Sequence, residues 1–230
     1  MSDCPLGICD GSGFVVDEES RAARPCRCRA QVVGRRRASS LSAVVPRRYR
    51  SVSFDSNPVA LMPAPVVRAV RAYVRDLDAN LDGGRGLWLF GDVGTGKTTL
   101  AMLVARSALE AGRSVAIYSL PRLLNEIRRT YDEGADSAYL TLLDRLAEVD
   151  LLHVDDLGAE RSSPWVLEQL YAIVNARYEA ERSMVITTNL DRDALVEQIG
   201  ERTVSRLEET CEVIPVHGVD RRQVVGREAS

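Results

Sequence analysis

A glycine-rich run that ends in a lysine and a threonine is the part of this sequence best suited to chemistry. It reads Gly91-Asp92-Val93-Gly94-Thr95-Gly96-Lys97-Thr98 and matches the P-loop pattern G-x-x-x-x-G-K-[ST]. In such a loop backbone N–H groups turn towards phosphates, Lys97 neutralises phosphate charge, and Thr98 can hold Mg²⁺. Thr99, one position later, is a weaker candidate for the metal. The run therefore predicts binding of ATP with Mg²⁺.

Two adjacent carboxylates follow a mostly apolar run further along the chain. Leu151-Leu152-His153-Val154 is followed by Asp155 and Asp156. This form is typical of a Walker B strand, in which Asp155 would reach Mg²⁺ and Asp156 would polarise the attacking water, a role more often taken by glutamate. His153 lies inside the apolar run, so we expect it to pack rather than to act in catalysis. The two motifs together predict an ATPase.

Three further polar residues could complete the site. Asn189 follows Thr187-Thr188 at the end of a later predicted strand, where it could sense the γ-phosphate; a plain turn is the alternative. Arg202 and Arg206 lie four residues apart on one face of a predicted helix. Either could be an arginine finger for a neighbouring subunit, which would require a homo-oligomer, or both could be solvated arginines paired with nearby glutamates.

Strand-like and helix-like segments alternate around these motifs. Helices are predicted at residues 65–81, 97–111, 121–131, 139–148, 164–181 and 195–208, and strands at 86–90, 114–119, 150–155, 183–188 and 212–216. The alternation predicts an α/β fold with a parallel sheet flanked by helices. The extra strand between Lys97 and Asp155 further predicts that another strand separates the two nucleotide-binding strands, which favours ATPases over simple nucleotide kinases.

Four of the five cysteines lie close together near the N-terminus, as Cys4, Cys9, Cys26 and Cys28. In a cytosolic protein such a group is more often a metal site than two disulfides, so we expect structural Zn²⁺. The spacings C-x4-C and C-x-C differ from the strong double C-x2-C, and four unligated thiols are the alternative. Cys211, near the other end, is expected to be an ordinary core residue.

Length and charge set the domain organisation. The 230 residues, 45% of them hydrophobic, suffice for one α/β domain and a small appendage, which we place at 51–230 and 1–50, with a linker over 31–65. No run approaches the roughly 18 apolar residues of a membrane span, and no signal peptide is visible, so a cytoplasmic protein is expected. Residues 1–50 carry ten arginines against five acidic residues, which suits nucleic acid, an acidic protein surface or a solvated arm.

Taken together, the motifs resemble the bacterial and phage replicative helicase loaders of the DnaC/DnaI type, AAA+ ATPases related to the IstB transposition helpers and to DnaA. The resemblance covers most of the chain. It rests on the cysteine cluster, the P-loop, Asp155-Asp156-Leu157-Gly158-Ala159-Glu160, Thr187-Thr188-Asn189, Gly200-Glu201-Arg202, Ser205-Arg206-Leu207 and Gly218-Val219-Asp220-Arg221-Arg222. The segment that begins at Asp155 is the most specific of these.

The resemblance implies an AAA+ core with a small N-terminal cysteine-rich, zinc-binding domain that grips the replicative helicase, while the ATPase domain engages single-stranded DNA. It implies that Arg206 is the finger, Arg202 a less certain second one, and Arg222 a sensor arginine that contacts nucleotide. Three residues are implied to face DNA, and they combine cations with an aromatic ring: Arg128, Arg129 and Tyr131. A solvated helix end is the alternative for these three.

Three rival functions share parts of this pattern. An IstB-like ATPase that assists a transposase would have the same core, but the cysteine cluster is not expected in it. A small-molecule P-loop kinase would need an acceptor pocket, for which the sequence shows no candidate. The third rival is an adaptor that binds ATP as a switch and scarcely hydrolyses it. Asp156 stands where glutamate is commoner, so this alternative is retained.

Overall fold

A computed structural model of the chain describes residues 4, 6–16, 22–29, 45–132, 136–218 and 220. The helices in these ranges are α1 (Ala64–Arg75), α2 (Leu77–Asp82), α3 (Lys97–Glu110), α4 (Leu120–Asp132), α5 (Asp136–Glu148), α6 (Pro164–Glu179), α7 (Arg192–Ile199) and α8 (Glu201–Thr210). The strands are β1 (Phe14–Val16), β2 (Ala23–Pro25), β3 (Gly86–Phe90), β4 (Val115–Ser119), β5 (Leu151–Asp155), β6 (Ser183–Thr188) and β7 (Cys211–Pro215). Short 3-10 helices lie at Arg47–Tyr49 and Val59–Leu61. In this part of the chain, no helix combines the length and the apolar character needed to cross a membrane.

Five parallel strands form the central sheet in the order β4-β5-β6-β3-β7. Helices cover both faces, so β3, β4 and β5 are buried on both sides over most of their length and are mostly apolar, whereas the edge strand β7 is partly exposed. The predicted α/β fold with a parallel sheet flanked by helices is confirmed. A strand does separate β3 from β5, but it is β6, which comes later in the chain; β4, the strand between the two motifs in sequence, lies at the sheet edge.

The sheet divides the core into two layers because successive side chains of a strand point to opposite faces. On β3, Trp88 belongs to the layer formed with α4 to α8, whereas Leu87 and Leu89 belong to the layer formed with α1 and α3. On β6, Ile186 and Val185 divide in the same way. Because all five strands are parallel, their carboxyl ends lie at one edge of the sheet, together with the P-loop and the paired carboxylates.

The residues just before α1 pack into the second layer. Val45, Tyr49, Val52, Val59 and Met62 are all buried and contact that cluster. Part of the stretch expected to be a linker thus contributes to the core of the α/β unit. The domain boundary near residue 50 stays a prediction.

Two predicted helices are each divided in the structure. The helix expected over residues 65–81 ends at Arg75, and α2 begins after Asp76, whose φ of -100° and ψ of 28° depart from helical values. The helix expected over 195–208 is replaced by α7 and α8, which meet at Gly200. Gly200 has a φ of 86°, in the left-handed region that glycine adopts without strain, so the chain turns there.

Arg177 of α6 is a fully buried cation that joins three elements at the amino-terminal edge of the sheet. Its guanidinium donates to the carbonyls of Leu146 at 2.5 Å, Val149 at 3.0 Å and Ser183 at 2.5 Å. These carbonyls belong to the end of α5, the approach to β5 and the start of β6. Burial lowers the pKa of Arg177 to about 9, which still leaves the side chain charged at neutral pH.

Candidate functional site

The P-loop joins β3 to the first residue of α3, as the sequence predicts. Three of its glycines have positive φ: Gly91 at 141°, Gly94 at 82° and Gly96 at 102°. Glycine adopts these values without the strain that a β-carbon would cause. The loop therefore delivers its backbone directly to the N-terminus of α3, where unpaired N–H groups and the helix dipole favour an anion.

Lys97 is buried at the start of α3, and its ammonium lies within the loop. Its Nζ donates to the carbonyls of Gly91 and Asp92, each at 2.7 Å. Thr95 is also buried and donates its hydroxyl to the Asp92 carbonyl at 2.9 Å. Asp92 and Val93, by contrast, lie at the exposed tip of the loop. The loop is thus held in shape by its own side chains, with the only lysine of the chain at its centre.

Asp155, the last residue of β5, is hydrogen-bonded both to the P-loop and to the neighbouring strand β6. Its Oδ1 accepts a hydrogen bond from the hydroxyl of Thr98 at 2.9 Å and a second from the hydroxyl of Thr187 at 2.7 Å. A hydroxyl and a carboxylate in contact are the ligand types that Mg²⁺ takes from proteins. The structure therefore brings together the two residues expected to hold the metal. Thr99 is half-buried on the next position of α3.

Asp156 leaves the strand in a left-handed backbone conformation, with a φ of 57°. Its N–H donates to the Thr187 hydroxyl at 3.0 Å. His153 is fully buried in β5, and its Nδ1 donates to the Val185 carbonyl at 2.9 Å, which leaves Nε2 as the unprotonated nitrogen. Burial lowers the pKa of His153, so the ring is neutral and packs in the sheet as predicted.

Asn189 follows β6 at the same sheet edge and is exposed. The preceding Thr188 is buried and accepts the N–H of Leu190 at 3.1 Å, so the chain turns at this point. Asn189 therefore lies beside a turn at the carboxyl end of β6, which fits both predicted alternatives, a sensor and a plain turn. Its role stays a prediction.

Arg206 lies on the half-buried face of α8 against α6. Its Nε donates to Asn175 Oδ1 at 2.7 Å, and its guanidinium carbon lies 5.2 Å and 5.0 Å from the ring centres of Tyr171 and Tyr178. Arg202, one turn earlier, is exposed. Within the described ranges, no hydrogen bond or ion pair joins either arginine to the P-loop or the β5 carboxylates. Arg222, the predicted sensor arginine, lies outside the described residues.

The three residues predicted to face DNA lie at the end of α4. Arg128 stacks its guanidinium 4.8 Å from the ring centre of Trp165, and Tyr131 stacks on Tyr139 with ring centres 5.4 Å apart. Arg129 and Tyr131 are exposed. The sequence pattern did not single out Trp165 or Tyr139, which come from the start of α6 and from α5. The result is a surface of arginines and aromatic rings.

The four N-terminal cysteines come together around the β1–β2 hairpin. All four sulfur atoms lie within 4.8 Å of one another, and Cys9 and Cys28 approach to 3.4 Å without a disulfide. Tetrahedral Zn²⁺ with Zn–S bonds of about 2.3 Å needs sulfurs roughly 3.8 Å apart, so the group fits such an ion. Backbone hydrogen bonds, first of all from Cys9, lower the pKa of Cys4 to about 6, whereas burial raises the pKa of Cys28, so the case for a metal rests on the closeness of the four sulfurs. Cys211 is separate and buried in the core, as expected.

Two contacts of the P-loop were not predicted from the sequence, although Asp220 belongs to the motif that contains Arg222. A β-carbon at Gly96 would overlap the terminal methyl of Met62, and one at Gly94 would overlap the carboxylate of Asp220. The segment before α1 and the residues after β7 therefore both close against the loop. Each of these contacts joins segments that are distant in the sequence, so the spacing of residues does not indicate it.

Comparison with known sequences places the chain among ATP-binding proteins. The profile of the IstB-like ATP-binding protein family matches residues 73–229. The replicative helicase loader DnaC of Escherichia coli K12 is 29% identical over 138 residues, which are 60% of this chain and 54% of that protein. The uncharacterised protein YdaV of the same organism is 32% identical over 117 residues, 51% of this chain and 46% of that protein. The chain thus spans about half the length of the curated relatives it matches.

Solved structures agree with these sequence matches. A crystal structure of the DnaC helicase loader superimposes with a TM-score of 0.66 at 27% identity, covering 75% of this chain and 100% of that one. A DnaI structure gives 0.61 at 23% identity, covering 81% of this chain and 100% of that one. A DnaA structure gives 0.64 at 18% identity, covering 80% and 55% respectively, and shares the fold. The predicted resemblance to DnaC/DnaI-type proteins and the AAA+ fold are confirmed, and the chain belongs to the family of IstB-like ATP-binding proteins.

Proposed function

We propose that this protein is an ATP-hydrolysing loader of a replicative DNA helicase that acts at the initiation of DNA replication. One observation carries the proposal: Thr98 of the P-loop and Asp155 of β5 meet in a 2.9 Å hydrogen bond, in a chain whose fold matches a DnaC helicase loader over that protein's whole solved chain. The Thr98–Asp155 contact supports an ATP site, and the match to the DnaC structure supports a role in helicase loading.

ATP binding follows from the P-loop and its lysine. Thr98 and Asp155 would hold Mg²⁺, which supplies positive charge next to the phosphates when bound. Lys97 adds a second positive charge from inside the loop, and the backbone N–H groups at the start of α3 add their dipoles. Asp156 lies next to this group and is the residue that we assign to polarise water. Asn189, at the end of β6, is assigned to sense the terminal phosphate.

A second subunit would complete the site. Arg206 donates through Nε to Asn175 and lies against two tyrosine rings, and among the described residues the outer nitrogens of its guanidinium make no hydrogen bond. An arginine held in this way is ready to contact charge on a neighbouring molecule, and such a finger accelerates hydrolysis strongly. We therefore assign Arg206 as the finger, with Arg202 as a second candidate and the homo-oligomer as the active form.

The two remaining surfaces would contact the partners. Arg128, Arg129 and Tyr131 on α4 offer cations for phosphates and a ring for base stacking, which suits single-stranded DNA. The cysteine module around β1 and β2 would hold Zn²⁺ and bind the helicase. ATP turnover on the α/β unit would then time delivery of the helicase ring and its release.

Steady-state ATP hydrolysis with and without single-stranded DNA tests this assignment. We expect a basal rate that DNA changes, and loss of that rate in Lys97→Ala and Arg206→Ala. A rate indifferent both to DNA and to Arg206→Ala would count against the loader mechanism. Binding to duplex DNA and a transposase, but not to a helicase, would instead favour the IstB-like helper function that the family description also allows.

A further inference from the structure

Thr187, near the end of β6, makes three hydrogen bonds to the acidic segment at the end of β5. Its hydroxyl donates to Asp155 Oδ1 at 2.7 Å and accepts the N–H of Asp156 at 3.0 Å. Its carbonyl accepts the N–H of Leu157 at 2.8 Å. One residue of β6 therefore contacts three consecutive residues of the neighbouring strand end.

The segment held by these bonds has an uncommon backbone. Asp156 has a φ of 57°, in the left-handed region that residues with a side chain seldom occupy. The bonds to the N–H groups of Asp156 and Leu157 lie on either side of that conformation and hold it in place. The direction in which the chain leaves β5, and with it the placement of Asp156, thus depends on Thr187.

Only a hydroxyl can perform both side-chain tasks at once. It donates one proton and accepts through its lone pairs, whereas a methyl group of the same size does neither. Thr187 is fully buried, so water does not readily replace it. The Asp155 oxygen that it binds is the same atom that accepts the Thr98 hydroxyl. The hydroxyl therefore fixes the rotation of the carboxylate against the P-loop.

We propose that Thr187 is a positioning residue for nucleotide hydrolysis, because it sets the orientation of the Asp155 carboxylate and the placement of Asp156. This inference deepens the proposed function and rests on it. Thr187 acts through the two acidic residues and needs no contact with nucleotide.

The neighbouring side chains do not duplicate this role. Thr188 is equally buried on the same strand, but its hydroxyl accepts the N–H of Leu190 at 3.1 Å on the opposite side of the turn. His153 Nε2 lies 3.8 Å from Asp155 Oδ1, which is too long for a hydrogen bond. Thr188 lies next to Asn189, so the matched control is Ser183 at the other end of β6, which is equally buried and donates its hydroxyl to the Asn80 carbonyl at 3.2 Å.

The experiment compares Thr187→Val, Thr187→Ser and Ser183→Ala in the 230-residue chain. We measure kcat and KM for ATP, the Mg²⁺ concentration that gives half-maximal binding of a fluorescent ATP analogue, and the melting temperature. Loss of a hydrogen bond to a charged group predicts that Thr187→Val lowers kcat by about 10- to 100-fold with a smaller change in KM. We also expect it to raise the required Mg²⁺ concentration by about tenfold, as expected for a loss of the same size. Thr187→Ser should stay within about threefold of wild type, since its hydroxyl retains both bonds.

Two results would overturn the inference. In the first, folded Thr187→Val keeps wild-type kcat and Mg²⁺ dependence. In the second, Thr187→Ser or Ser183→Ala loses as much as Thr187→Val, which would indicate packing rather than hydrogen bonding. If the wild-type protein hydrolyses no ATP, the proposed function fails, and the Mg²⁺ dependence of nucleotide binding still decides whether Thr187 orients the Asp155 carboxylate.

Discussion

Replacement of Arg177 by methionine should destabilise the protein severely, although the residue is remote from the P-loop. The guanidinium makes short hydrogen bonds to the carbonyls of Leu146, Val149 and Ser183, and none of its side chain is exposed. Methionine fills a similar volume but donates nothing. The carbonyls at the end of α5 and at the starts of β5 and β6 would lose their partner in a buried place.

The size of the effect follows from these contacts. Each buried carbonyl left without a donor costs about 1–3 kcal/mol, and release of the desolvated guanidinium offsets part of the sum. A net loss of about 3–5 kcal/mol is therefore expected, a large share of the roughly 5–15 kcal/mol that stabilises a typical domain. For a domain of this size each kcal/mol lowers the melting temperature by about 2–4 °C, so Tm should fall by roughly 6–20 °C.

Urea unfolding followed by circular dichroism measures this loss, with Arg182→Met as the matched control. Arg182 carries the same charge and lies nearby, but its side chain is 37% exposed and its contact is a 3.3 Å ion pair with Asp150. Surface pairs contribute about 0–1 kcal/mol, so the control should remain close to wild type. The reasoning is refuted if Arg177→Met and Arg182→Met lose the same small free energy of unfolding.

Three further predictions concern the shared site, the DNA surface and the metal. Arg206→Ala should lower the ATPase rate by at least about tenfold without weakening nucleotide binding. Mixing Arg206→Ala with Lys97→Ala should restore part of the rate, because one protomer keeps an intact P-loop and the other keeps the arginine finger. If mixing restores no activity, the finger does not act between subunits. Arg128→Ala and Tyr131→Ala should each weaken binding of a fluorescent single-stranded oligonucleotide, and only Arg128→Ala should reduce the salt dependence of binding. The control Arg122→Ala, on the same helix, should change binding little. An equal effect of all three variants would contradict a specific DNA surface. Elemental analysis should find one Zn²⁺ per chain in the wild type and in Cys211→Ser but none in Cys28→Ser, and equal zinc in all three would remove the cysteine cluster as the site.

The sequence predicted the parts of the site that are contiguous. The P-loop pattern is complete within eight residues, and its position between a strand and a helix follows from local periodicity. The carboxylates after the β5 strand are equally local. Parallel strands end at one edge of the sheet, so the meeting of Thr98 and Asp155 could be expected without coordinates.

The contacts that were missed depend on strand order, which local patterns do not encode. Thr187 reaches Asp155 because β6 lies directly beside β5, whereas the strand that precedes β5 in sequence lies at the sheet edge. Met62 reaches the P-loop across the second core layer, from a segment whose weak periodicity suggested a linker. The break at Gly200 was missed for another reason: apolar spacing continues across it, while the φ of 86° changes only the direction of the chain.

Binding and loading of the replicative helicase test the central claim most directly. Purified helicase is incubated with wild-type protein or Lys97→Ala, with and without ATP, and helicase retained on single-stranded DNA is measured. We predict that both proteins bind the helicase, since the cysteine module is distant in sequence from Lys97, and that only the wild type with ATP increases the helicase on DNA. Absence of helicase binding under every nucleotide condition would contradict the account.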